Sequence, residues 1–530
     1  MTITKISAIF VVAFSFAFSG ISFLHSQNTM QEIWRLNGEI DGQKLGSHVA
    51  GVGDVNRDGY DDVAVCNSPT GKTSIYFGGI NMDNIPDLVL KGGSSVSSAG
   101  DVNADGFKDI LTSDYDNVYL YLGSTMMDSI VDLIFHEEGG EHFGSGIDFI
   151  TDFNGDGFGD IFIMDVTYSN YTGKVYVYFG GNPMDNQADW TKQGESEWIY
   201  FASGLTSGFG DLNRDGYSDI IIPNGWYPGK PDYSGNIQIY FGGASPDTIC
   251  DVSIDGVHPD DLFGYSLSAA GDVNGDGYAD IFVGAPGYQV IGNAQIYFGG
   301  LEMDTIPDVV MVGDSLLDRA FGSSVAYAGD VNGDGYNDVI IGDRDSFGGI
   351  GSARIYLGGS NMDGKPDVTI IGNAADYYFG SSVNSAGDVN GDGYDDVIIG
   401  SPLHAWFGEH DRGSAAIFLG NGRLTSVREE EVTPAEVPNS YFLCQNYPNP
   451  FNSSTRISYI LKSASLVNLQ ILNCTGELVK TLTMGRQLTG EHSVTWKGRD
   501  NSGKFVPSGV YFYQIQAGQF TATKKLLLLK

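Results

Sequence analysis

The sequence predicts an all-β protein: a run of repeated four-stranded units of propeller-blade form, then a small antiparallel β-sandwich. Three observations carry that expectation. A nine-residue acidic loop recurs seven times between positions 54 and 396. A short β-branched run follows each copy, and the repeat stops near position 421, where composition changes. A chain of 530 residues has room for several domains or one repetitive architecture.

The charge sorts the same way. The chain has 66 Asp+Glu against 28 Lys+Arg, a formal net charge of −38, with 74 Gly. A polyanion of this size repels phosphate backbones, which excludes nucleic acid as a partner. Hydrophobic content of 42% is too high for a disordered acidic tail. From Tyr441 onward there are ten basic and three acidic residues, whereas 27–440 holds 17 basic and 63 acidic. Such asymmetry marks separate domains with separate roles.

Residues 1–26 read as a secretory signal peptide: Lys5, then the apolar run Ile9 to Phe18, then small and polar residues up to Ser26 and Gln27. A retained anchor is the alternative, but Ser15, Ser19, Gly20 and Ser22 dilute the stretch. No later segment reaches a spanning length, so no transmembrane segment is expected after cleavage. Export permits disulfides. Cys66, Cys250, Cys444 and Cys474 are too few for a disulfide scaffold; the last two could pair, or all four could be buried thiols.

The repeated loop reads D-x-N-x-D-G-x-x-D. Calcium takes six to eight hard oxygens, and side chains at positions 1, 3, 5 and 9 with the carbonyl of position 7 would supply them. The first three copies would use Asp54, Asn56, Asp58, Tyr60 and Asp62; Asp101, Asn103, Asp105, Phe107 and Asp109; and Asp152, Asn154, Asp156, Phe158 and Asp160. The fourth and fifth would use Asp211, Asn213, Asp215, Tyr217 and Asp219, and Asp272, Asn274, Asp276, Tyr278 and Asp280. The last two would use Asp330, Asn332, Asp334, Tyr336 and Asp338, and Asp388, Asn390, Asp392, Tyr394 and Asp396. Carboxylates packed this closely repel one another unless a cation sits among them. Up to seven structural calcium ions are therefore expected.

An EF-hand needs Glu at position 12 and then a helix. Position 12 here is Val65, Thr112, Ile163, Ile222, Val283, Ile341 and Ile399, and each loop leads into a short β-branched strand. The loop thus joins two strands. In the sixth copy these are Phe321–Gly329 and Asp338–Gly342; Ser352–Gly359 and Pro366–Gly372 supply a third and fourth. Four strands per unit with Gly-rich turns describe a blade.

These residues resemble the FG-GAP repeat of integrin-α-type propellers. Phe143-Gly144, Phe263-Gly264, Phe321-Gly322 and Phe379-Gly380 match the FG element, and Gly284-Ala285-Pro286 matches GAP. The first repeat has Leu45-Gly46, the fourth Phe201-Ala202, and the second lacks the element. The resemblance implies a seven-bladed propeller over 27–421, with calcium in the loops between first and second strands. After the seventh third strand no fourth strand comes, but Glu32–Gly38 resembles one and is expected to complete the last blade.

Residues 422–440 gain charge and Pro and read as a linker. Over 441–530, alternating strands predict an Ig-like sandwich. Tyr447-Pro-Asn-Pro-Phe451, Trp496, the segment from Pro507 to Tyr511, and Lys524-Lys525 resemble the type IX secretion C-terminal sorting domain, which has a FlgD-like immunoglobulin fold. That resemblance implies recognition by an outer-membrane translocon, so the protein is expected to cross both membranes and to be secreted or held at the cell surface.

No catalytic constellation emerges from the eight scattered histidines or from the glycines, and no enzyme is expected. Some relatives of phospholipase D type are enzymes, but their catalytic domain is separate from the propeller. The expected role is adhesion-type binding of an extracellular protein or glycan on the face opposite calcium. Candidate ligand-binding residues are Trp226, Tyr227 and Tyr233 in the fourth repeat and His404, Trp406 and Phe407 in the seventh. The alternatives are a polysaccharide-active or phospholipase-like hydrolase or lyase, and a structural surface-layer component.

Overall fold

The computed structural model describes residues 29–39, 42–137, 142–194, 201, 205–207, 210–224, 234–257, 261–287, 291–301, 303–313, 320–373, 377–402, 412–425, 442–443, 446, 449–452, 454–461, 465–473, 475–487, 490–518 and 520–529. The chain divides into two compact units, 1–427 and 428–530. The expected signal peptide, most of the expected linker, and Cys444 and Cys474 lie outside the described residues.

The first unit is a ring of seven sheets, antiparallel except for one added parallel strand. Blade six shows the pattern: Ser324–Gly329, Asp338–Asp343, Ser352–Tyr356 and Val368–Ile371 pair in sequence order. The second strand is an unbroken apolar run because both its faces are covered. Val339 and Ile341 pack with blade five, while Ile340 packs with blade seven. Buried clusters of this kind lie at each of the seven blade–blade interfaces. Burial on both faces removes alternation and yields the continuous β-branched signal in the sequence.

The ring closes as the sequence implies. Gln31–Asn37 pairs antiparallel with Ser414–Leu419, giving blade seven its fourth strand. Trp34 in that strand is 4% exposed; its ring meets Tyr76 edge-on at 5.0 Å, and its Nε1 donates to the Asp83 carbonyl at 2.8 Å. In the other blades a hairpin joins third and fourth strands. Here the two strands come from opposite ends of the unit, and a cavity of about 620 Å³ remains, lined by Met30, Gln31, Asp392, Leu419 and Leu424 among others. Leu424, three residues past the expected boundary, is buried against blades six and seven.

Blade four is the irregular one. Its second to fourth strands, Ile220–Asn224, Asn236–Tyr240 and Val252–Asp255, form a three-stranded sheet. Its first strand, Leu205–Ser207, instead pairs in parallel with Ser266–Gly271 of blade five.

The second unit is a sandwich of a three-stranded and a four-stranded sheet. Strands such as Ser465–Leu472 alternate buried and exposed residues, as a one-sided core demands. Trp496, Tyr459 and Tyr513 fill that core. Phe451 packs its ring 5.5 Å from Trp496, and its backbone exchanges hydrogen bonds with Leu527 and Leu529. The Asn-Pro-Phe segment, 449–451, thus fastens the final strand, Phe520–Leu528.

Candidate metal centres

The seven loops share one geometry. In the fifth, Asp272 Oδ1 accepts from the amides of Gly275 (2.7 Å) and Asp276 (3.0 Å), and Oδ2 from Gly277 (2.8 Å). Asn274 Oδ1 accepts from the Asp276 amide at 2.8 Å, and Asp276 Oδ1 from the Tyr278 amide at 3.0 Å. The carboxylate and amide oxygens of positions 1, 3 and 5 are thereby gathered on one side of the turn. The position-5 and position-6 amide bonds to the head carboxylate at position 1 recur around Asp54, Asp101, Asp152, Asp211, Asp330 and Asp388, whereas the position-4 amide joins them in the third, fifth, sixth and seventh loops, where that position is Gly.

Two backbone positions make the turn possible. Position 6 is always Gly with φ between 87° and 94°. Position 4 is also left-handed in every copy, with φ from 55° to 78°. It is Gly in four copies but Arg57, Ala104 and Arg214 in the others. A side chain costs about 1–2 kcal/mol in this region, so these three loops are strained. The two arginines stack on the position-7 aromatic of the next blade: Arg57 over Phe107 at 4.7 Å and Arg214 over Tyr278 at 5.9 Å.

Position 9 clamps backbone. Asp280 is fully buried, with Oδ2 accepting from the Val273 amide (2.9 Å) and Oδ1 from the Gly299 amide (2.9 Å). The other six copies repeat this clamp between the loop and the end of the third strand. Burial pushes the carboxyls of Asp62, Asp109, Asp160, Asp219 and Asp280 up to about 7, and those of Asp338 and Asp396 to about 8; the amides pull down and the loop carboxylates push up further.

Among the described residues no three Asp, Glu, His or Cys side chains form a metal-binding group by themselves. Each loop offers two carboxylates with an asparagine between them, and the buried position-9 carboxylate lies beneath with one amide on each oxygen. The donor set nevertheless fits a hard cation. It is all oxygen, the head Oδ2 of every loop accepts a single amide and so keeps a lone pair, and in loop seven the Asn390 Oδ1, shielded from solvent, has no hydrogen-bond partner. A cation there would offset the carboxylate repulsion that raises position 9.

The candidate ligand-binding residues Trp226, Tyr227, Tyr233, His404, Trp406 and Phe407 lie outside the described residues. The described part holds features that sequence spacing does not reveal. Tyr115 is exposed with φ of 72°, and its ring lies 5.3 Å from that of exposed His142. Lys174 sits between the Tyr168 and Tyr176 rings at 4.7 and 4.2 Å and pairs with Glu137 at 3.6 Å. His48 lines the central channel with Ser97, Ser145, Ser324 and Asn384, and burial lowers its pKa to about 4.

A closed ring of blades with an acidic loop between first and second strands is a β-propeller, and parts of it are similar to FG-GAP repeats and integrin alpha chains. The FG-GAP repeat family matches residues 263–297 and 379–418, in blades five and seven. The FlgD Ig-like domain family matches 451–519. Integrin alpha-7 of Rattus norvegicus is 35% identical over 160 residues, covering 28% of this chain and 14% of the integrin. Integrin alpha-6 of Gallus gallus is 33% identical over 155 residues, 28% of this chain and 14% of that protein. The chain thus spans about a seventh of the length of these relatives. FlgD from P. aeruginosa has a solved structure 28% identical over 14% of this chain and 57% of its own, with a TM-score of 0.12. No helix among the described residues is long and apolar enough to cross a membrane.

Proposed function

We propose that this protein is an exported, calcium-stabilised propeller with an adhesion-type binding role and no catalytic activity of its own. The observation that carries the reading is the asymmetry of the ring. One face repeats a single oxygen-rich loop seven times, whereas the loops of the opposite face differ from blade to blade. A uniform rim is suited to stability and a varied one to recognition. The likeness to integrin alpha chains supports binding of an extracellular protein or glycan on the varied face.

The C-terminal sandwich serves as the export handle in this reading, recognised by an outer-membrane translocon and leaving the protein secreted or at the cell surface. Its likeness to the FlgD Ig-like domain and the hydrophobic N-terminal stretch support that route.

Thermal melting of the full chain with calcium and with chelator tests the calcium part. One site at a hundredfold excess over its Kd contributes about 2.7 kcal/mol, so several sites together should move Tm by well over 10 °C, at roughly 2–4 °C for each kcal/mol in large domains. An unchanged Tm would sink it. Screening the chain against matrix proteins and glycans tests the binding part, and hydrolysis of any of them would overturn the non-catalytic reading.

A further inference from the structure

Position 8 of the acidic loop is variable: Asp61, Lys108, Gly159, Ser218, Ala279, Asn337 and Asp395. It is no part of the expected ligand set. The structure nevertheless points its side chain at the preceding blade. The Asp330 amide donates to Asp395 Oδ2 at 2.7 Å, the Asp272 amide to Asn337 Oδ1 at 2.7 Å, and the Asp388 amide to Asp61 Oδ2 at 2.9 Å. In each case the acceptor belongs to the next loop around the ring. The backbone does the same in reverse: the amides of Asp395, Asn337 and Asp61 donate to the carbonyls of Asp330, Asp272 and Asp388 at 3.2–3.3 Å. The head residue of one loop is therefore held at both its N–H and its C=O by the next blade.

The residue before the loop is shaped to admit this side chain. A Cβ on Gly329 would stand 2.3 Å from Asp395 Oδ2, one on Gly271 2.3 Å from Asn337 Oδ1, and one on Gly387 2.2 Å from Asp61 Oδ2. The third loop differs in both partners. Before it stands Thr151, and there the partner is the short Ser218, whose Oγ accepts from the Asp152 amide at 3.3 Å. In two other copies the same glycine meets a different partner: Gly53 the stem of Lys108 and Gly210 the methyl of Ala279.

We propose that Asp61, Asn337 and Asp395 are positioning residues for the cation sites of loops seven, five and six, so that each of these sites is built by two blades. The residue they orient supplies the carboxylate that organises its loop: Asp330 Oδ1 and Oδ2 accept from Gly333, Asp334 and Gly335. Rotation of that residue would move both oxygens at once. The proposal rests on the calcium-stabilised reading of the propeller.

The test is calcium titration of the chelator-stripped full chain by calorimetry, with Asp395→Ala, Asp395→Asn and the ligand variant Asp330→Ala. Removing Asp330 should abolish one site. Asp395→Ala should retain the ion count and weaken one site by about tenfold, the lower end of what outer-shell partners of metal ligands contribute. Asp395→Asn keeps the acceptor, as Asn337 does naturally, and should restore affinity. If Asp395→Ala does not fold, Asn337→Ala asks the same question of loop five. A lowered Tm with calcium affinity unchanged would reduce Asp395 to a structural residue and overturn the proposal alone. A wild-type chain that takes up no calcium would overturn the calcium reading and the proposal with it.

Discussion

The two rims of the propeller are built from the same seven blades and obey opposite rules. On the acidic rim every loop has the same length, left-handed backbone at the same two positions and the same position-5 and position-6 amide bonds to its head carboxylate. These loops are also joined to one another. In all seven blades, an amide just after the third strand donates to the position-2 carbonyl of the preceding loop at 2.7–3.0 Å, from Gly79 to Val389 around to Asn421 and Val331. Among the described residues of the opposite rim the connections vary: a 3-10 turn at Ser68–Thr70, a tight turn at Tyr115, and short helical turns at Tyr168–Tyr171 and Ser346–Gly349. The contrast teaches that repetition is strict where neighbours must bond to each other and lapses where they need not.

The largest blow to the uniform rim should come from the place where it closes. Trp34→Ala removes the buried ring that ties blade seven to blade one and should cost about 3–5 kcal/mol, read as a fall in the urea midpoint. A cost under about 1 kcal/mol would mean that the closing strand is not integral to the ring. Next comes Asp280→Ala, which strands two buried amides and should cost about 2–6 kcal/mol at roughly 1–3 per lost partner. Because the carboxylate clamps backbone, that loss should persist in chelator; dependence on calcium alone would show that ligation is its main role.

His48 sharpens the comparison from the channel wall between the rims. Its folded pKa of about 4 lies below the ordinary histidine value of 6.5, so the unfolded chain binds the extra proton between these values. Its contribution is complete above pH 6.5 and is lost as pH falls towards 4. At about 1.36 kcal/mol per unit, the loss is at most roughly 3 kcal/mol. The difference between wild-type and His48→Gln stability curves isolates this group, and parallel curves over the range from about pH 4 to about pH 7 would refute it.

Smaller still, Ala104→Gly relieves a left-handed residue and should stabilise by about 1 kcal/mol, detectable as a raised Tm. On the varied rim, His142→Ala should change stability by less than about 0.5 kcal/mol. A larger loss there would show that the Tyr115–His142 pair holds the fold rather than standing free for recognition.

Much of this arrangement was legible in the sequence because its determinants are local. The β-branched runs, the position-6 glycines and the closing strand at Glu32–Gly38 each announce themselves within a few residues. The candidate site divided along the same line. Positions 1, 3 and 5 come together as expected, since the turn alone gathers them. The backbone clamp of position 9 was not legible, because its two amide partners, Val273 and Gly299 in loop five, lie seven residues upstream and nineteen downstream. The roles of position 8 and of the glycine before the loop were hidden altogether, since their partners belong to the neighbouring blade. Blade four's first strand escaped for a similar reason: it bonds sideways to Ser266–Gly271 rather than to its own sheet.

The closing strand also sets an order of events. Gln31–Asn37 emerges from the ribosome before any blade exists, yet its partner Ser414–Leu419 comes roughly 380 residues later. The intervening blades can assemble from neighbouring hairpins as they appear, while the first strand made waits to be the last one bonded. Closing so long a span is entropically expensive and slow. Until it happens, Ser414–Leu419 has a free edge that another copy of the chain could fill with its own Gln31–Asn37. The clasp that makes the ring therefore also makes it the point at which two newly made chains could exchange strands.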